Sequence, residues 1–362
     1  MKMSKLDDLC DALDAAIGEN HAGQAVTRFI DTGYPPLNYA ISGRYDGGLP
    51  FGRLIEIFGG SSSGKTAMAT EFMVQAQRMG GCAIFVDYER SFDVGLAQEF
   101  GLKVERPHWI YVKPRTWEEG NTIAAKAIHA IRGSGAIPAD APILVIQDSI
   151  ASAIPKSMLV DGKGKERGID ELTMNDTSAL SRVTSTTLKV MAQHAEDTDA
   201  TLVYLNQIRQ KIGVMFGDPT TTPGGSAMEF YSTARLSLAR EKIMVEVKGS
   251  GKEFVGQNIK IHVVKSKLTK PFKKAQLRMM FDENDVARFD PVHSTLEFLT
   301  ENKLIPFNAG YITWTDGKKY YLKALAAKIN AEGTRAELLK FLPSTAIETE
   351  FETPVAKLEK AA

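Results

Sequence analysis

The residues best equipped for chemistry stand in one short run, "GGSSSGKT", from Gly59 to Thr66. It matches the pattern G-x-x-x-x-G-K-[ST], in which small residues let successive backbone N–H groups curl around phosphate oxygens. Gly59, Gly60, Ser61, Ser62, Ser63 and Gly64 supply that curl, and Gly64 lets the main chain come close to its ligand. Lys65 would reach β- and γ-phosphates, the Thr66 hydroxyl would ligate Mg²⁺, and the helix opening through Ala67 would add its positive end. An ordinary Gly-rich strand-to-helix turn could share the pattern. The flanks favour the nucleotide: "RLIEIF" reads as a buried strand before it and "TAMATEFMVQAQRM" as a helix after it, so ATP with Mg²⁺ is the expected ligand pair.

Carboxylates and an amide are expected at the ends of neighbouring strands. Asp148 closes "ILVIQD" and is assigned to Mg²⁺ through water, beside Thr66. In "IFVDYERSFD", Glu89 falls where an attacking water must be polarised and is read as the general base, while Asp93 suits contact with the nucleotide base. Gln207 ends "TLVYLNQ" and could bond a γ-phosphate oxygen, losing that bond on hydrolysis. Each has a plain alternative: a strand-end cap, a surface carboxylate, a satisfied amide. Lys265 and Lys267 in "VVKSK" share a strand face by the period of two, and spacing alone favours a solvated face.

After Gln207 comes "IRQKIGVMFGDPTTTPGG", in which Ile212, Val214, Met215 and Phe216 alternate with Gly213 and Gly217 and are flanked by Arg209 and Lys211. Glycine and proline weaken both regular structures, so these apolar side chains are expected on an unpacked loop. A second loop is expected at 160–171, "VDGKGKERGIDE". The chain has 44 basic and 44 acidic residues, which argues against a uniformly basic nucleic-acid binder. The charge is polarised, however: residues 201–280 hold 14 Lys or Arg against 5 Asp or Glu, a local +9.

Elements must position these groups. Val- and Ile-rich runs alternating with helices, from Arg53 to the loop after Gln207, predict an α/β core with a mostly parallel sheet covered on both faces. The additional strands "CAIFVD" and "HWIYV" and the helices "WEEGNTIAAKAIHAIR" and "SALSRVTSTTLKVMAQHAE" complete that alternation. Beyond 230, "ARLSLAR", "IMVEV", "NIKIHVVKS" and "AQLRMMF" predict separate antiparallel strands, then a small α+β unit follows. Residues 5–17 predict an amphipathic helix, with a strand over residues 25–30. The expected units are 1–32, an oligomerisation helix and linker strand; 33–285, the ATPase core; and 286–362, a C-terminal domain and tail. Cys10 and Cys82 have no metal-ligand spacing and read as reduced packing residues. No apolar leader and no run of about 18 apolar residues is found, so a cytoplasmic protein without membrane contact is expected.

Taken in order and spacing, "GGLPFGRLIEIFGGSSSGKT", "NQIRQKIGVMFGDPTTTPGG", "EFYSTARLSL" and "VVKSKLTKPFKKAQL" closely resemble the bacterial RecA recombinase family, from about residue 32 to 281. The resemblance implies a RecA-like P-loop NTPase core and a DNA-dependent ATPase that forms a helical filament on single-stranded DNA and exchanges strands with duplex DNA. It gives Glu89, Lys65, Thr66, Asp148 and Gln207 the roles above. It also makes Lys265 and Lys267 a pair reaching a neighbour's ATP, and Phe230 and Arg235 interface residues. DNA loops correspond to about 156–171 and 207–225, with Lys163, Lys165, Arg167, Arg182, Arg209, Lys211, Ile212, Gly213, Val214, Met215, Phe216, Gly224 and Gly225 as DNA-binding residues. Single-strand-binding or mediator proteins are further expected partners.

Three positions depart from the family pattern. Leu96 replaces a tyrosine near the adenine, Glu229 replaces an interface lysine, and the first loop is longer and more charged. Such divergence suits a phage-encoded or distant member. A ring-shaped hexameric helicase and an ATP-gated scaffold that hydrolyses little are the competing readings.

Overall fold

The computed structural model describes residues 26–210, 220–247 and 251–344. The expected helix at 5–17, Cys10, and the loop residues Lys211, Ile212, Gly213, Val214, Met215 and Phe216 lie outside the described residues.

Nine strands build the central sheet: β1 (Leu54–Gly59), β2 (Cys82–Asp87), β3 (Trp109–Val112), β4 (Ile143–Asp148), β5 (Ala200–Gln207), β6 (Ala234–Val247), β7 (Gly251–Ser266), β8 (Lys274–Phe281) and β9 (Ala287–Phe289). Their spatial order is β9-β8-β7-β6-β1-β5-β4-β2-β3. From β6 across to β3 all pairs are parallel, and from β6 outward to β9 all are antiparallel. Every residue of β1, β2 and β4 is buried, as parallel strands covered on both faces require.

The helices are α1 (Pro35–Ser42), α2 (Lys65–Arg78), α3 (Val94–Glu99), α4 (Trp117–Ser134), α5 (Lys156–Leu159), α6 (Ala179–Thr198), α7 (Ala227–Tyr231), α8 (Pro291–Glu301) and α9 (Leu322–Glu332). One core forms where Met68, Phe72 and Met73 of α2 meet Ile55, Ile57 and Phe85. A second forms on the opposite face, where Trp117 and Ile128 of α4 and Leu188 and Met191 of α6 meet Ile84, Val145 and Tyr204, with buried Cys82 among them. Helix α4 starts where Thr116 accepts a hydrogen bond from the Glu119 amide and ends at Gly135 in the left-handed region.

One expectation is revised. "ARLSLAR" and "IMVEV" are one continuous strand, β6, in a long hairpin with β7, because bulges at Arg235/Leu236 and Ile243/Met244 absorb the irregular pattern without ending the ladder. The sheet also continues to Phe289, and a third apolar cluster around Leu296, Trp314 and Leu325 includes Val292. Of the strand expected over residues 25–30, Phe29–Ile30 pairs with Leu49–Pro50. No helix among the described residues is long and apolar enough to cross a membrane.

Candidate active site

Parallel register brings the reactive groups to one edge. Gly59 lies beside Gln207, and Asp87 beside Asp148, at the carboxyl ends of four neighbouring strands where open α/β sheets bind ligands. Gly64 caps α2 with φ 88°, and a Cβ there would stand 2.4 Å from Ile259 Cδ1, so this turn needs glycine. No side chain caps the start of α2, which leaves its first N–H groups directed at the loop. The buried Ser63 hydroxyl has no hydrogen-bond partner.

Lys65 donates to the carbonyls of Gly59 (3.2 Å) and Gly60 (2.8 Å), and burial lowers its pKa. Thr66 Oγ1 donates to Asp148 Oδ2 at 2.9 Å. Burial first, and the neighbouring Glu89 second, push the Asp148 carboxyl up to about 7. Glu89 Oε1 accepts from Ser149 Oγ at 2.6 Å, Ser152 Oγ at 3.2 Å and Gln207 Nε2 at 3.3 Å. The turn carrying Glu89 is held by buried Asp87, which accepts from the Arg90 amide at 2.6 Å and the Tyr111 hydroxyl at 2.7 Å. A cis peptide joins Asp148 to Ser149.

These residues suit a nucleotide with Mg²⁺. An uncapped helix start, an unsatisfied loop hydroxyl and a lysine bonded only to carbonyls form a cradle for phosphate. A hydroxyl and a carboxylate of raised pKa offer hard oxygen ligands, and among the described residues no cluster of three His, Cys, Asp or Glu could hold a metal by itself. Mg²⁺ fits such sparse protein ligation because phosphates and water complete its shell. Asp93 is exposed and caps α3 through the Leu96 amide at 2.9 Å, and Leu96 is itself exposed.

The two loop regions differ from the expectation in detail. In the first, Lys163 and Lys165 are exposed. Arg167 forks onto Asp176 at 2.9 and 3.1 Å and bonds the carbonyls of Ser157 and Glu171, so it folds the loop around itself. Arg182 bonds Ser178 Oγ at 2.6 Å at the start of α6. Two residues not singled out from the sequence protrude here, Ile169 at 90% and Met174 at 88% exposure. Their signal was available: apolar side chains inside a polar loop, as in residues 212–216.

The second loop springs from a two-residue ribbon, Arg209 opposite Thr221 and Gln210 opposite Thr220, with Arg209 exposed. Gly224 and Gly225, at φ 90° and 72°, lie against Ile150, Thr184 and Ser181 of the same chain. They seat the loop's return on α6.

Phe230 is 72% exposed. Arg235 is turned inward between fully buried Glu56 (2.6 Å) and Glu229 (3.1 Å), so a role at a neighbouring copy would act through Glu229. Lys265 bonds the carbonyls of Glu229 and Phe230, and Lys267 reaches that of Phe230 at 3.5 Å. The lysines converge on the end of α7, a position that the period-of-two reading alone did not give. Glu56 is a further residue of this cluster, marked in the sequence as the one charge inside "LIEIF".

A family profile for the RecA N-terminal domain matches residues 15–285. Protein RecA of Enterococcus gallinarum is 35% identical over 292 residues, 76% of each chain. Protein RecA of Lactobacillus acidophilus is 35% identical over 288 residues, 76% of this chain and 72% of that one. Protein RecA of Lactococcus lactis subsp. cremoris is 34% identical over 275 residues, 75% of this chain but 64% of its own length, so under two thirds of that protein is spanned. With a match of this extent laid over a parallel sheet whose strand tips carry the phosphate loop, the chain belongs to the RecA family.

Proposed function

We propose that this protein is an ATP-dependent DNA recombinase that assembles as a helical filament on single-stranded DNA and exchanges strands with homologous duplex, hydrolysing ATP faster when DNA is bound. The observation that carries this reading is the meeting of Gln207 with Glu89 at 3.3 Å, because the first is the foot of a DNA loop and the second faces the phosphate cradle.

In this reading the backbone of residues 59–66 and Lys65 hold the phosphates of ATP, with Lys65 exchanging its carbonyl partners for phosphate oxygens. Mg²⁺, held by Thr66 and Asp148, would neutralise phosphate charge. Glu89 accepts the proton of the attacking water, and Ser149 and Ser152 orient its carboxylate. Gln207 leaves Glu89 for the γ-phosphate and carries the ribbon at 209–210 with it, so the loop is set by ATP and released by hydrolysis. Arg209, Lys211, Lys163 and Lys165 neutralise DNA phosphates, which gives affinity without sequence preference. Ile212, Val214, Met215 and Phe216 from one loop, and Ile169 and Met174 from the other, wedge between bases; unstacking costs about a few kcal/mol per step and is offset by protein contact. Phe230, Lys265 and Lys267 act across the contact with the next copy, where the lysines reach its ATP. Single-strand-binding or mediator proteins would load the filament.

The decisive experiment is a strand-exchange assay between homologous single- and double-stranded DNA, run beside ATP turnover with and without DNA. Joint molecules and faster turnover with DNA are expected. Equal turnover in both conditions with no joint molecules sinks the reading, and closed rings by electron microscopy would favour a helicase.

A further inference from the structure

Glu56 is fully buried in β1, three residues before the phosphate loop, where strand alternation would place an apolar side chain. Its neighbours Ile55 and Ile57 point into the core beneath α2. Its two oxygens are used separately. Oε1 accepts from Asn206 Nδ2 at 2.9 Å and Oε2 accepts from Arg235 Nε at 2.6 Å, the latter directly across the β1–β6 register.

Both partners lead onward. Asn206 Nδ2 also donates to the Pro223 carbonyl at 2.9 Å, and its Oδ1 accepts from the Gln207 backbone amide at 3.0 Å. Asn206 therefore ties together the two feet of the second loop. Arg235 lies over the Phe58 ring at 4.9 Å and donates to Glu229 at 3.1 Å, on the short helix that presents Phe230 and whose carbonyls hold Lys265.

We infer that Glu56 is a positioning residue that couples the foot of the second loop, at Asn206 and Gln207, to the helix α7 that presents Phe230. A buried carboxylate cannot release one partner cheaply, since the charge left behind has no solvent to turn to. Asn206 and Arg235 are thus tied to one anchor, and a shift of Gln207 is passed to Glu229 through it. This extends the proposed nucleotide-gated loop and rests on that reading. The simpler role, a register pin between β1 and β6, would change stability and leave the two segments' response to nucleotide linked.

Hydrogen exchange on the full chain separates these roles. It is measured with and without Mg²⁺ and a slowly hydrolysed ATP analogue, without DNA, at a dilution where light scattering shows no assembly. In the native chain, nucleotide should slow exchange in residues 207–210 and 227–231 together. In Glu56→Gln combined with Arg235→Met, which leaves no unpaired buried charge because Glu229 is 59% exposed, nucleotide affinity should stay within about twofold and protection of 207–210 should persist. Protection of 227–231 should fall at least about fivefold. Linked protection in this variant, or none at 227–231 in the native chain, overturns the inference. If the double variant does not fold, Glu229→Ala decides, since its side chain is 59% exposed: unchanged protection of 227–231 overturns the coupling, and a loss of about twofold or more supports it. Joint protection in a chain whose ATP turnover ignores DNA would sink the recombinase reading and leave the coupling standing.

Discussion

The strand-tip site and the loop faces are built by different means. Gly59, Asp148 and Gln207 are placed by parallel register at the ends of buried strands, and Glu89 follows two residues past one such end on a turn held by Asp87. The loop faces are placed by side chains: Arg167 gathers 157–176 around itself, and Asn206 clasps Pro223 to shut the second loop. A site set by register tolerates loss of one side chain without moving the rest. A face set by a single clamp loses its shape with that clamp.

Substitution at the strand tips should therefore be local and large. Glu89→Gln is expected to cut ATP turnover by about 10²–10⁴, the usual worth of a general base, while DNA binding with a slowly hydrolysed ATP analogue stays native. A matching loss of DNA binding would break the separation of the two regions. On the loop side, Phe216→Ala should weaken binding of single-stranded DNA by about tenfold in a fluorescence-anisotropy titration and reduce strand exchange, with DNA-free hydrolysis unchanged. Loss of DNA-free hydrolysis instead would show that the loop helps to build the catalytic site.

Asp148 sharpens the electrostatic side of the contrast. Its carboxyl is raised above the ordinary value, so the folded chain binds that proton more tightly than the unfolded one. The stabilisation this gives is full below the unfolded pKa and is lost as pH rises through about 7. Mg²⁺ must displace the same proton, so its apparent affinity, measured by titration at fixed nucleotide, should rise about tenfold from pH 6 to 8 and be flat in Asp148→Asn. The smallest effect belongs to exposed charge: Lys163→Ala should lower the slope of log affinity against log salt by about 0.7 for single-stranded DNA. Arg167→Lys should leave that slope unchanged and open residues 157–176 to protease, because a lysine cannot make the fork to Asp176.

Legibility followed the same division. The positions of the Gly59–Thr66 run, Glu89, Asp148 and Gln207 at or just past strand ends could be read directly, since a short motif and hydrophobic runs specify where strands stop. Two arginines show what the sequence hides. Both Arg167 and Arg235 look available for DNA or a neighbouring copy in the sequence, yet each is consumed by a carboxylate of its own chain, one nine residues away and one on a strand 179 residues away. Nothing local distinguishes such an arginine from an exposed one such as Arg209. Ile169 and Met174 sit among polar residues, where periodicity is silent and only an apolar type inside a polar loop marks them.

By itself the sequence determined the α/β core, the alternation of its parallel strands with their helices and the Gly-rich turn between the first core strand and its helix. Those follow from local rules: turn chemistry, hydrophobic period and motif spacing. Only the tertiary structure decided which charges meet. It fused two predicted strands into β6, set Arg235 beside Glu56, and brought Lys265 and Lys267 to the end of α7. Register between strands distant in sequence depends on packing across both faces of the sheet at once, and no local window contains that information.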